Sequence, residues 1–288
     1  MDLPHILIML SIYTLLVGAL NIVLGYGGMV SLCQAVFYGV AAYTTAILTT
    51  WWGIHPLAAM LISGIVAGLF AVLLETVGMH FRGDRFVLLT ISFQVIVSAI
   101  LLNWTGLTGG TNGISGIPVP RVFNWTLETK WEQATFAVLI AVLGLGLLLR
   151  LYRSPYQRAL SAIRDDQLAA ESLGKRPTYF RFSALFIASL LSAAAGSLYA
   201  LTTTFIDPTS FTIDESIFIL TALAIGGSGN VLGPVVGAAS AVLMPEALRL
   251  LEIGGGSAAN IRQILYGLAL IFIMRFRPKG IAGTYDLS

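Results

Sequence analysis

The 288 residues are 57% hydrophobic and 10% charged, with 16 basic against 14 acidic side chains and a formal net charge of +2. A soluble globular domain carries about 25% charge, so this composition describes a membrane protein, and so slight a positive balance makes no case for nucleic acid as a partner. The single cysteine, Cys33, excludes an internal disulfide and a cysteine zinc site.

His5, His55 and His80 lie far apart and read as interfacial residues, so no metal site and no cofactor is expected. No Asp, Glu, Lys or Arg occurs between Asp2 and Glu75, and charge-free runs recur over 86–120, 133–149, 182–206 and 216–245. Each is long enough for the roughly 17 to 25 residues that cross a bilayer as a helix. Asp2 and the lack of a basic segment before the first apolar stretch argue for a retained span rather than a cleaved signal peptide.

Taken in order, spans are expected at 4–24 and, after the glycine break 25–28, at 29–52, which holds Ser31, Cys33, Gln34 and Tyr38. A third follows at 56–78, where Gly64 and Gly68 form a small-residue face for close helix contact. Glu75 falls near its end, where it is expected to reach water. A fourth covers 86–103. The stretch 105–118 is too rich in glycine and hydroxyls for a lipid-exposed helix. Further spans are expected at 131–152, 179–203, 216–224, 232–251 (with a kink at Pro245) and 261–276. Glycines at 226, 227 and 229 form a second break. The two breaks, each leading into a span with a Gly-Val-Ala-Ala or Gly-Ala-Ala segment, hint at an internal duplication of the kind transporters use.

The reading is an all-α, polytopic integral membrane protein with about nine transmembrane helices (eight to ten), forming one permease domain over 1–288. Basic residues set the orientation. Arg82 with Arg85, the cluster from Arg150 to Arg181, and Arg275 with Arg277 and Lys279 are all placed in the cytoplasm by a chain with its N-terminus outside and its C-terminus inside.

The one strongly charged stretch lies between the fifth and sixth spans. Ten charged residues fall from Arg150 to Arg181. Within it, 154–174 reads as one amphipathic helix: Ser154 as N-cap, Pro155 at the first position, Gln157 completing a capping box, and Gly174 as the left-handed stop. A membrane protein that exposes such a helix offers it to a cytoplasmic partner. No catalytic set emerges; 173–176 lacks the Ser or Thr and the earlier glycine of a P-loop. With no titratable group expected at mid-membrane, energy for transport would enter from outside the chain.

Four segments carry a family resemblance: Gly-Tyr-Gly-Gly-Met-Val-Ser-Leu at 25–32 with Phe37 and Gly39; Leu-Thr-Gly-Gly-Thr-Asn-Gly-Ile-Ser-Gly-Ile-Pro at 107–118; Arg-Ala-Leu-Ser-Ala-Ile-Arg-Asp-Asp-Gln-Leu-Ala-Ala at 158–170; and Arg-Phe-Arg-Pro-Lys-Gly at 275–280. In order and spacing the chain resembles the LivM-like permease subunits of high-affinity branched-chain amino-acid ABC transporters. Ala169-Ala170 with Gly174 is similar to the core of the loop by which such permeases dock their ATPase, although Leu168 stands where that loop has an acid and Gln157 where it has glycine. Cys33-Gln34 and Gln94-Val95 replace the commoner Gly-His and small-residue-Glu pairs.

The resemblance implies a transport subunit, not an enzyme, in the inner membrane of a bacterium. Its partners would be a homologous permease subunit in a heterodimer, two cytoplasmic ATP-binding subunits and an external substrate-binding protein. The coupling segment, 153–177, would act through Arg158, Ile163, Arg164, Asp165, Asp166, Leu168, Ala169, Ala170, Glu171 and Gly174. For the substrate path the candidates are Ser31, Gln34, Phe37 and Tyr38 in the second span and Thr90, Ser92, Phe93 and Gln94 in the fourth. Ser31 and Gln34 are expected on one helical face, as are Thr90 and Gln94. The competing class is a secondary transporter or facilitative channel for a small polar solute.

Overall fold

The chain folds as a mostly helical bundle whose central elements are the least charged ones. The structure, a computed structural model, describes residues 2–250 except Arg82, Phe123 and Asn124, together with Leu268 and residues 281–283. The expected ninth span at 261–276 and the basic residues Arg275, Arg277 and Lys279 therefore lie outside the described residues.

Helix α1 (Leu3–Leu20) has proline in its first turn and no charge, and it runs directly into a π-helical turn, Asn21–Tyr26. The first span thus extends through Tyr26 rather than stopping at Leu24. Helix α2 (Gln34–Thr50) begins five residues later than expected, because 27–33 is irregular backbone. Helices α3 (Pro56–Gly78) and α4 (Asp84–Asn103) follow as an antiparallel pair. A one-turn α5 (Thr105–Thr108), a 3-10 turn (Gly110–Asn112) and three short strands, β1 (Ile114–Ser115), β2 (Arg121–Val122) and β3 (Trp125–Thr126), lead to α6 (Lys130–Tyr152). Then come α7 (Pro155–Asp165), α8 (Gln167–Ser172), α9 (Pro177–Thr203), β4 (Phe205–Ile206), a 3-10 turn (Pro208–Phe211), α10 (Ile213–Gly226) and α11 (Leu232–Leu250), which continues as helix through Pro245.

Among the described residues, five helices are long and apolar enough to cross a membrane: α1 with its π turn, α3, α4, α6 and α9. Burial sorts them into an inside and an outside. The apolar stretches of α1 and α9 are each 72% buried, against 28% to 39% for α3, α4 and α6. Helix α9 can be central because its face is built from small residues. Ser192, Gly196 and Ala200 recur every four positions, and a Cβ on Gly196 would collide with the Tyr38 carbonyl of α2. Backbones that approach so closely replace side-chain bulk with dispersion contact, which is how helices associate without a hydrophobic drive between them. Hydroxyls finish the contact: Thr45 of α2 and Ser63 of α3 each lie 2.8 Å from Ser197 Oγ of α9.

The two ends of the bundle differ in chemistry. At one end β1 pairs antiparallel with β4, and Lys130 Nζ lies 3.2 Å from Asp2 Oδ2. The Lys130 hydrogen bond and charge hold the Asp2 carboxyl below its usual range. All five tryptophans, Trp51, Trp52, Trp104, Trp125 and Trp131, are exposed at helix ends or in the connections of this end. The opposite end carries α7, α8 and most of the described arginines. There Arg181 of α9 reaches Glu75 of α3, its Nε 2.8 Å from Oε1, and donates to the carbonyls of Gly78 and Phe81. Glu75 is 0% exposed. The expectation that it reaches water is corrected: an apolar helix end tolerates this carboxylate because a guanidinium is buried with it.

Candidate functional site: a buried polar junction and a split charged segment

Two sets of residues carry the candidate chemistry, and the first surrounds the start of α2. Four helices meet there. Ser216 Oγ of α10 accepts from the Ala35 N–H at 3.0 Å and donates to Gln94 Oε1 of α4 at 3.3 Å. Gln94 Nε2 donates to the Phe211 carbonyl at 2.9 Å and to Ser98 Oγ at 3.0 Å, and Ser98 Oγ donates to the same carbonyl. Thr90 Oγ1 accepts from the Leu32 N–H at 3.1 Å. Gln34 Nε2 bonds Ser192 Oγ of α9.

The helix start itself has no local cap. Cys33 occupies the N-cap position without a side-chain capping bond, so the orphan amide of Ala35 is satisfied by Ser216 from far along the chain. Ser31, whose Oγ lies 3.2 Å from Cys33 Sγ, precedes the helix, and the expectation that Ser31 and Gln34 share a helical face is corrected. Ser192, Ser98, Ser216 and the Phe211 carbonyl complete the junction, none of them among the sequence candidates. The signal was available for Ser192 only, in the small-residue face of α9.

Of the predicted path residues, Ser31, Gln34, Phe37, Tyr38, Thr90 and Gln94 are buried. Phe93 is half-buried, edge-on to Phe70 of α3 with ring centroids 6.3 Å apart. Ser92 turns the other way, exposed and bonded to the Leu88 carbonyl of its own helix, because two residues along a helix lie on opposite faces. It leaves the set. Towards the tryptophan end an aromatic group closes over the junction: Tyr38, Tyr43 and Tyr199 surround Phe211 with centroids 5.0 to 6.0 Å away.

The second set is the charged stretch, and it is two helices rather than one. Asp166 is extended (φ −152°, ψ 106°), which ends α7; its Oδ1 accepts from the Leu168 and Ala169 N–H groups, which starts α8. The expected capping box at Ser154 does not form. Ser154 Oγ donates back to the Leu151 carbonyl, and Gln157 bonds Ser161. Gly174 does provide the left-handed stop, at φ +78°: Lys175 N–H reaches the Ala170 carbonyl and Gly174 N–H the Glu171 carbonyl, the paired closure of a Schellman motif.

The split divides labour. Helix α7 buries Ala159, Leu160 and Ile163 against the bundle and is pinned by Tyr156, whose hydroxyl lies 2.7 Å from Ser183 Oγ of α9. Burial pushes that phenol up to about 12. Helix α8 buries only Ala170 and leaves Leu168 at 71% and Leu173 at 81% exposure, between exposed Asp165, Asp166, Ala169, Glu171, Gly174 and Lys175. Arg158 is exposed as well, whereas Arg164 turns inwards.

Comparison with known proteins places this architecture. Residues 3–274 match the family model described as branched-chain amino acid transport system / permease component. The chain is 32% identical, over 95% of its own length and 68% of the relative's, to the high-affinity branched-chain amino acid transport system permease protein LivM of Salmonella typhimurium. The protein of that name from Escherichia coli is 31% identical over 94% of this chain and 67% of its own. A probable branched-chain amino acid transport permease protein LivM from Methanocaldococcus jannaschii is 24% identical over 93% and 83%. Long apolar helices and a family model covering nearly the whole sequence agree: the chain belongs to the permease-component family of branched-chain amino acid transport systems.

Proposed function

We propose that this chain is one permease domain, spanning 1–288, that forms half of the translocation path of an ABC importer for branched-chain or related apolar amino acids. As a permease component it is a multi-pass transport subunit and not an enzyme. The observation that carries the ABC reading is the exposed, doubly terminated α8 segment. Leu168 and Leu173 are large apolar side chains held in water, at a position fixed by the Asp166 cap and the Gly174 turn. Such a patch rimmed by charge is a docking surface, and the partner it fits is a cytoplasmic ATPase.

The remaining assignments follow from that one. The end bearing α7 and α8 faces the cytoplasm, in accord with Arg85, Arg150, Arg153, Arg158, Arg176 and Arg181 there; the tryptophan end faces outward as an interfacial belt. Nine crossings, N-terminus outside and C-terminus inside, follow when α2, α10 and α11 join the five long spans and the ninth is the span expected from sequence at 261–276, outside the described residues. The junction of Ser31, Gln34, Thr90 and Gln94 is the path in its closed state, with polar groups for the ionic ends of an amino acid and apolar walls from Phe37, Tyr38 and Phe93. A homologous permease in a heterodimer, two ATPases, an external binding protein and the bacterial inner membrane complete the assembly.

The test is a crosslink. A cysteine at Leu168 or Leu173 should join the chain to its ATPase within the assembled complex, while one at exposed Leu88, on the apolar face of α4, should not. Equal crosslinking from all three positions, or from none, would remove the docking assignment.

A further inference from the structure

Arg164 is the one coupling-segment charge that turns away from water. Its side chain is 16% exposed, whereas that of the adjoining Asp165 is 65% exposed. Arg164 Nη1 donates to the Gly25 carbonyl at 2.7 Å, and Nε donates to Asp165 Oδ1 at 2.9 Å. Its alkyl stem lies on Gly28, where φ is +65° and a Cβ would strike Arg164 Cγ. Gly27 faces Leu160, one turn earlier on α7. Helix α7 thus holds the glycine break of the first span through a charged donor and an apolar side chain.

The gripped carbonyl belongs to the π turn that opens at Asn21. Asn21 is fully buried and spans to the second glycine break: its Oδ1 accepts from the Gly229 N–H and its Nδ2 donates to the Asn230 carbonyl, both at 2.9 Å. A Cβ on Gly25 would meet both Asn21 Oδ1 and Gly229 N, so only glycine lets the two breaks touch. Two interruptions far apart in the sequence therefore close on a single amide, one π turn from the Arg164 contact. From there the chain passes through 27–33 into the polar junction at the start of α2. Single π turns recur at functional sites, and a planar guanidinium presents its donors to a carbonyl and a carboxylate from one rigid fork, where lysine would bring a compact charge on a flexible stem.

We propose that Arg164 is a positioning residue that passes the displacement of α7 into the joined breaks at Gly25 and Gly229, so that the α1–α2 and α10–α11 connections move as one. The inference rests on the reading of α7 and α8 as the ATPase-coupling segment.

The experiment uses the whole importer in liposomes, with leucine as the probe and three variants, Arg164→Ala, Arg164→Lys and Asn21→Ala. Leucine accumulated per ATP hydrolysed is measured beside the crosslink from a cysteine at Leu168. The expected result is an intact crosslink and a leucine-to-ATP ratio lower by about tenfold in Arg164→Ala and in Asn21→Ala, with Arg164→Lys recovering only part of it. An unchanged ratio with the crosslink intact overturns the inference and leaves the docking surface standing. No crosslink in the chain with native Arg164 overturns the docking surface instead. Where Arg164→Ala does not assemble, Arg164→Lys and Asn21→Ala decide by the same ratio, and full recovery by lysine overturns the two-donor role.

Discussion

Arg181 Nε lies 2.8 Å from Glu75 Oε1, with Glu75 closed off from solvent and Arg181 stacked over the Phe86 ring at 5.2 Å. One ion pair joins three elements: the end of α3, the start of α4 and the start of α9, where the chain returns from α8. Its energetics follow from burial. Each charge alone would be stranded in an apolar region, while the pair together roughly offsets its own desolvation.

Glu75→Ala or Arg181→Ala should therefore destabilise the protein by about 3–5 kcal/mol, and the double change Glu75→Leu with Arg181→Met should restore most of that loss. Thermal unfolding in detergent, read by a fluorescent thiol dye or by intrinsic tryptophan, measures it. Additive losses in the double variant would mean that the two residues act separately.

The polar junction makes a prediction about access. Cysteines at Ser31, Gln34, Thr90 and Gln94 should resist a small water-soluble thiol reagent at rest, since all four positions are buried, and should become reactive during ATP turnover with substrate supplied. A cysteine at Ser92 should stay insensitive to turnover. If the four buried positions remain inert in a complex that transports, they are interhelical hydrogen bonds and no more.

Gly174 and Gly196 separate two roles of glycine. At Gly174 a Cβ would touch nothing, and only φ +78° objects to one. Gly174→Val should cost roughly 1 kcal/mol or more, and Gly174→Asn much less, because asparagine enters the left-handed region readily. The measured effect should fall on ATPase retention, with the unfolding temperature of the transmembrane bundle little changed. A Gly174→Val complex that assembles and transports normally would count against the turn as a docking element.

At Gly196 the conformation is ordinary and space is lacking, since the Tyr38 carbonyl and the Ala42 amide lie against it. Gly196→Leu should separate α2 from α9 and cost on the order of 1–3 kcal/mol by overpacking, seen as a lower unfolding temperature and poor membrane yield. Wild-type yield and stability would show that α2 does not cross α9 this closely.

What could be read from the sequence was whatever depended on neighbours in the chain. Charge-free runs located α1, α3, α4, α6 and α9 to within a few residues, and Gly174 declared its turn. What could not be read depended on partners far away. The start of α2 is set by Ser216, so 29–33 looked like more helix; the burial of Glu75 is set by Arg181. The division of 154–174 was in principle legible, since Asp166 is a good N-cap residue, but an amphipathic pattern running past it concealed the break. In the candidate site the pairing of span two with span four was legible from polar residues in apolar helices. The third and fourth contributors, Ser192 and Ser216, were ordinary serines in the sequence. Asn21, a lone amide just before a glycine break, went unremarked although it joins both breaks.

Uptake of radiolabelled leucine tests the central claim most directly. Liposomes would carry this chain with its permease partner and ATPases, ATP sealed on the α8 side, and the binding protein on the other. The account predicts accumulation against a gradient that stops when ATP is omitted or replaced by a non-hydrolysable analogue, and that isoleucine and valine compete for. Accumulation that continues without ATP, or ATP-driven uptake that these amino acids leave untouched, would contradict it.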